Sequence, residues 1–276
     1  MELMFFAPIW GSEDMPFEAF LHKVKENNFD GVEMSFPQEF YSEKQRDKCV
    51  SLLQEYDLHL IAQHWETVTP NFQQYKCEFL QRLDWLAATE ALLINSQTGR
   101  DFFTPEQTLS FLDIASEKEV EHDIIILHET HRGRFNYSLP LMQQFLNARP
   151  NIKLTADYSH FCCVAGNLLE DQQTSLAKLK PHVHHIHSRV GFSEGPQVAD
   201  PRAPESATAL ATHLAWWVDI LAYHKQQGRA SFTITTEFGP PPYMPVEPHT
   251  QKPMGDQWAN NLFIRQRIKQ AYQALD

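Results

Sequence analysis

Ile124-Ile125-Ile126-Leu127-His128-Glu129-Thr130 is a short run of branched apolar residues that ends on titratable ones. A helix-patterned stretch, 139–147, follows it, and then a second run of the same kind, Ile152-Lys153-Leu154-Thr155-Ala156-Asp157. Apolar runs of about 4–8 residues bounded by polar segments read as buried strands, and two of them separated by a helix read as a parallel βαβ unit. Working outward in both directions, the same alternation recurs. Strands are predicted at 3–8, 31–36, 58–64, 92–96, 124–130, 152–157, 182–189 and 232–239. Helices are predicted at 16–27, 42–56, 71–89, 105–120, 139–147, 174–179, 205–227 and 257–274. Thr104, Pro105 and Gln107 form a capping box with proline at the first helical position, which marks one helix start.

Eight strand-then-helix units over ~250 residues match the size of a closed parallel barrel. The predicted fold is α/β, a (β/α)8 TIM barrel forming a single domain over residues 1–276. An open doubly wound sheet would carry a glycine-rich phosphate turn after an early strand. Neither GxGxxG nor GxxxxGK[ST] occurs in the chain.

Composition agrees with a globular chain: 42% hydrophobic and 21% charged residues among 276. The apolar runs are far shorter than the ~18–20 residues of a membrane helix. With 23 basic against 35 acidic residues the formal net charge is -12, a sign that repels phosphate backbones and argues against a nucleic-acid partner. The four cysteines, Cys49, Cys77, Cys162 and Cys163, make neither a disulfide framework nor a CxxC pair, so a reducing cytoplasm is the expected compartment.

In a parallel barrel the chemistry sits at the C-terminal strand ends. Those ends are polar: Glu33, His64, Glu129 with His131, Asp157 with His160, His187 with Arg189, and Glu237. Side chains alternate across a strand, so Leu127 and Glu129 share one face and His128 points the other way. The same parity pairs Thr155 with Asp157, His185 with His187 and Thr235 with Glu237 on inward faces. Strands five to eight thus each deliver one ligand-type group, Glu129, Asp157, His187 and Glu237, to one place.

Three carboxylates and an imidazole gathered without a cation repel one another and are costly to desolvate. One divalent metal ion resolves this. The donor set suits Mn2+ or Mg2+ and tolerates Zn2+ or Co2+. Trp10, His64 and Trp65 end early strands and are candidates for stacking on a sugar face, and Glu33, at the end of the second strand, is a candidate substrate contact. The loop 190–202, with Arg189 and Arg202 at its ends, is a candidate contact for a carboxylate or phosphate. Gly239-Pro240-Pro241-Pro242-Tyr243 opens a proline-dense segment expected to form a stiff pocket wall. Cys162 and Cys163 read as small packing residues.

Gly31-Val32-Glu33, Leu127-His128-Glu129-Thr130, Asp157-Tyr158-Ser159-His160, His185-Ile186-His187 and Thr235-Thr236-Glu237-Phe238-Gly239 together resemble the xylose isomerase-like TIM barrels, which include sugar and sugar-phosphate isomerases and epimerases. The resemblance implies one metal held by Glu129, Asp157, His187 and Glu237, with His160 near the substrate oxygens. It also implies that Glu129 and Glu237 act as the catalytic proton-transfer pair through a metal-stabilised enediolate. The implied function is a metal-dependent isomerase or epimerase of a small sugar or related polyhydroxy carbonyl compound. A dehydratase or lyase on a related substrate and a non-catalytic sugar-binding homologue are the alternatives.

Two departures stand out. The substrate arginine of the epimerase-like branch lies further beyond the strand-seven histidine than Arg189 does. Where the nuclease branch places Asp-x-His, this chain has Asp200-Pro201-Arg202. Trp216, Trp217 and Tyr223, on the stretch 205–227, would face either a second copy of the chain, leaving a homo-oligomer open, or the barrel.

Overall fold

The structure, a computed structural model, describes residues 1–275. Its elements follow in the order β1 (Glu2–Pro8), α1 (Phe17–Glu26), β2 (Gly31–Ser35), α2 (Glu43–Glu55), β3 (His59–His64), α3 (Phe72–Ala87), β4 (Leu93–Ser96) and α4 (Pro105–His122). The second half continues with β5 (Ile125–Glu129), α5 (Leu139–Ala148), β6 (Leu154–Ala156), α6 (Tyr158–Ala165), α7 (Gln173–Leu179), β7 (Val183–His187), α8 (Ala207–Gln226), β8 (Ser231–Thr235) and α9 (Gln257–Gln273). The strands are all parallel and β8 pairs with β1, so the sheet closes into the expected barrel.

The helix starts are chemically marked. Thr104 accepts from the Gln107 amide while the Gln107 side chain accepts from the Thr104 amide, and Ser42 with Gln45 does the same at α2. These reciprocal bonds satisfy donors that a helix cannot satisfy internally. α6 was not anticipated. Its sequence, Tyr-Ser-His-Phe-Cys-Cys-Val-Ala, has no charged face to reveal a helical period, and Gly166 ends it in the left-handed conformation.

Inside the barrel, Met4, Phe6, Ile61, Leu93 and Leu127 form an apolar floor. Gly31 is required beside it, because a Cβ there would lie 2.3 Å from the His59 carbonyl oxygen and 2.5 Å from the Phe6 ring. One pleat above the floor, toward the C-terminal ends, the inward residues are Glu33, Gln63, Asn95 and Glu129, two positions beyond Gly31, Ile61, Leu93 and Leu127. The outer strand faces and helices make the main core, which includes Trp216 and Trp217 of α8, so these rings face the chain's own barrel.

The outer layer also buries neutral histidines. His64, Ser96, Thr98 and His128 form a hydrogen-bonded chain with links of 2.8–2.9 Å. Burial, helped by Lys153, lowers His128 to about 3, and burial lowers His213 to about 4. Each is neutral when folded and binds a proton below roughly pH 6.5 when unfolded. Their stabilisation is therefore complete above that value and is lost as pH falls toward the folded values, at about 1.4 kcal/mol per pH unit for each residue. Urea unfolding at pH 7 and pH 5 should show a clear drop in midpoint; equal midpoints would contradict it.

Candidate active site

The four strand-end groups converge as the parity of their strands requires. Glu129, Asp157, His187 and Glu237 are all buried, and one ligand-type atom from each lies within 4.8 Å of the others. Asp157 sits just past the three-residue β6, where it caps α6 by accepting from the Ser159 amide at 3.1 Å. Glu129 accepts at one oxygen from Asn95 and Gln97, each at 3.2 Å. His187 Nδ1 stands 2.8 Å from Glu237 Oε2 and 3.7 Å from Glu129 Oε1, and none of these three buried atoms has a hydrogen-bond partner.

Three orphaned donor atoms aimed at one point are the arrangement a cation satisfies. The electrostatics agree. Burial pushes the Asp157 carboxyl up to about 7, with Glu237 and Glu129 adding to the rise, even though Arg189 is paired with it. Burial opposes a proton on His187, yet Glu237, Glu33 and Glu129 outweigh it and raise its pKa well above the usual imidazole value. A proton there plays the electrostatic part a metal would play. Four buried carboxylates, with Glu33, face one guanidinium, and of the imidazoles against them only His187 has its pKa raised, so the buried Glu/His cluster fits a divalent ion.

Glu33 does not line the opening. It lies inside the barrel and receives the His187 Nε2 hydrogen bond at 3.0 Å, the Asn95 amide at 2.8 Å, and the Thr235 hydroxyl. An Nε2–H held by a carboxylate would leave Nδ1 as the nitrogen offered to an ion that displaces its proton. Glu33, expected at the substrate, is thus placed to orient His187.

His64 is displaced from its expected place by strand parity. β3 turns Ile61 and Gln63 inward, so His64 faces α3, packs on Phe79 and bonds Ser96 and Thr67. Arg202 is also elsewhere, folded in a two-point pair onto Asp200 at 2.7 and 2.8 Å. The rest of its loop is structural: Gln197 clasps both backbone groups of Gly239, and Gly191 lies against the Ser159 backbone.

Arg189 lines the cavity while pairing with Asp157, and it lies 4.7 Å from the Tyr243 ring centroid. His160 is fully buried behind it, 2.8 Å from a guanidinium nitrogen, so it contacts Arg189 and not the open cavity. Trp10 lines the cavity edge-on to Tyr243, with centroids 5.0 Å apart, and its ring covers Gly239, where a Cβ would lie 2.2 Å from it. The proline segment therefore does supply a wall, carried by Tyr243. Burial, with Asp157 near, pushes the Cys162 thiol up to about 12, consistent with a packing residue.

Asn95, Gln97 and His131 were missed as site residues. His131 lines the cavity with its ring centroid 3.9 Å from that of His160, and burial lowers its pKa to about 4, so it stands neutral. Asn95 and Gln97 carry no charge to draw attention, but their two-residue spacing, from β4 to the residue just past its end, was the available signal.

No protein-family model matches the chain, and no curated protein is detectably similar to it. Solved structures do match. A 3-keto-D-glucoside 4-epimerase from E. coli superposes with a TM-score of 0.63 at 11% identity, over 98% of this chain and 100% of that one. A xylose isomerase domain containing protein from Salmonella typhimurium gives 0.59 at 16% identity, over 98% and 96%. A probable 3-DHS dehydratase from Bacillus anthracis gives 0.57 at 16% identity, over 86% and 93%. Identities this low speak for architecture and not for a shared reaction. The chain has the fold of the xylose isomerase-like TIM barrels.

Proposed function

We propose that the chain is a divalent-metal-dependent isomerase or epimerase of a small polyhydroxy carbonyl compound. The observation that carries this reading is the pair of buried glutamates, Glu129 and Glu237, each with an unpartnered oxygen at the same opening as His187. Glu129, Asp157, His187 and Glu237 would hold the ion, and their oxygen-rich set favours Mn2+ or Mg2+. Such an ion would supply positive charge beside the substrate oxygens and so stabilise the negative charge that develops on proton loss.

The side chains account for the rest. Burial alone would raise the Glu129 carboxyl, but His187 pulls it down to about 2, so it stands ionised and able to accept a proton at neutral pH. Glu237 on β8's extension faces the same opening and returns a proton to carbon. Arg189, buried and permanently charged, pairs with Asp157 at the cavity wall and orients that carboxylate. Transfer from opposite faces of one carbon gives epimerisation, and transfer between adjacent carbons gives aldose–ketose isomerisation.

The test is metal analysis with deuterium uptake from D2O. Metal-loaded protein is expected to incorporate deuterium next to the carbonyl in a panel of ketoses and keto-glycosides, and to lose this on chelation. Saturable metal with no exchange in any member, or an unsaturated product instead of exchange, would replace this reading with binding or dehydration. The strand-end group would also have to bind Mn2+ near stoichiometry; no affinity for any divalent ion would remove the metal.

A further inference from the structure

The cavity that opens onto Glu129 and Glu237 has a volume of about 820 Å³. Pockets that enclose drug-sized ligands run from roughly 300 to 1,000 Å³, so this one lies toward the upper end and far exceeds what a lone hexose fills. Its lining is divided. Over β5 to β8 it is polar, with the two glutamates, His131 and Arg189. Over β1 to β3 it is mainly apolar and rich in aromatic rings, with Ile9, Met15, Phe17, Phe40, Tyr41 and Trp65, interrupted by Ser35, Gln45 and Gln63.

Charge divides in the same way. The single arginine or lysine among the lining residues is Arg189, whose guanidinium is committed to Asp157, and the one charged group in the apolar half is Glu13. An anionic arm, phosphate above all, would find no counter-charge there and one like charge. An uncharged ring would find matched surface.

The apolar half is also built before any ligand arrives. The Trp65 indole nitrogen donates to Ser35 at 3.0 Å, and the Trp65 carbonyl accepts from Arg134 at 2.7 Å, so this ring is held from both ends. Phe40 closes a turn on the Pro37 carbonyl at 2.9 Å. Yet Trp65 is 45% and Phe40 68% exposed, an unusual state for two large rings at the rim of one cavity. Large rings left wet at a pocket rim, one of them anchored through its indole nitrogen, gain most when a flat apolar group covers them.

We infer that the substrate is a conjugate: a polyhydroxy carbonyl head at the carboxylate cluster, joined to an uncharged aromatic group that lies between Phe40 and Trp65. It carries no phosphate on that side. The inference rests on the proton-transfer reading for the head, and on the continuity of one cavity for the arm.

Calorimetric titration of the Mn2+-loaded full chain with the 4-nitrophenyl and methyl β-glycosides of 3-keto-D-glucose, which keep a carbonyl on the sugar, and with D-glucose and D-glucose 6-phosphate tests it. The nitrophenyl glycoside should bind at least tenfold more tightly than the methyl glycoside, and the phosphate should add nothing over glucose. Phe40→Ala and Trp65→Ala, both at exposed positions where the fold is expected to persist as read by the far-UV spectrum, should each remove most of that preference. Equal affinity for the two glycosides, no saturable binding of the nitrophenyl glycoside, or a preference that survives both substitutions would overturn it.

The two readings fail separately. Deuterium exchange into free ketoses with no aryl preference refutes the aromatic arm and leaves the reaction standing. Aryl preference with no exchange into any carbonyl compound refutes the reaction and leaves an aromatic-binding pocket.

Discussion

Glu237→Gln and Glu129→Gln should each lower deuterium exchange by about 10²- to 10⁴-fold at saturating Mn2+, the range that a positioned proton-transfer group contributes. The change is nearly isosteric, so the fold has little reason to respond. In Glu129→Gln the amide oxygen can still accept from Asn95 and Gln97, which hold the wild-type side chain at 3.2 Å. What disappears is the basic oxygen facing the opening, which has no other partner in the protein. Both residues are also expected metal ligands, so exchange has to be measured where added metal no longer raises it. The pair gives a sharper readout than either alone: the double variant should lose little more than the single variants, because proton removal and return act in series. Normal exchange in both single variants would end the two-glutamate mechanism.

Glu33→Gln should weaken Mn2+ binding by about 10- to 100-fold while leaving the cavity unaltered, the usual consequence of removing a carboxylate that orients a ligating imidazole. Glu33 lies beneath His187 and bonds its Nε2, so its expected effect runs through that ring. Its carboxylate accepts from His187 Nε2 at 3.0 Å, from Asn95 at 2.8 Å, and from Thr235. A glutamine keeps one acceptor but puts an amide donor where a second acceptor stood, and it removes the charge that favours Nε2–H. His187→Ala, which deletes the ligand itself, sets the lower bound for affinity. Calorimetry with Mn2+, and its displacement by Mg2+, reads both variants without reference to turnover. Unchanged affinity in Glu33→Gln would mean that the ring is held by packing and that the carboxylate serves another purpose.

Not every part of this site was equally legible in the chain. Glu129, Asp157, His187 and Glu237 could be read because each depends on local facts: where a strand ends, and which way alternate residues point. Even the shortening of the sixth strand to Leu154–Ala156 left that parity intact, since Asp157 still stands two positions beyond Thr155. The same rule, when applied only to strand ends and not to parity, misplaced His64 by one position; Ile61 marks the inward face and puts Gln63 on it. α6 escaped because eight largely apolar residues show no period.

The sequence by itself determined the eight strand-helix units, the inward ligand-type residues of strands five to eight, and the excess of negative charge, because periodicity, parity and composition are properties of short stretches. Only the tertiary structure decided that Glu33 serves His187, 154 residues away, and that Asn95 and Gln97 support Glu129 from the neighbouring strand. Only closure of the barrel could set the aromatic loops of β1, β2 and β3, which are neighbours in the sheet, across one cavity from the polar ends of β5 to β8. Such contacts depend on register across the sheet and on which loops meet at its rim. Neither is encoded in any window of adjacent residues, since both follow from how all eight strands pair at once.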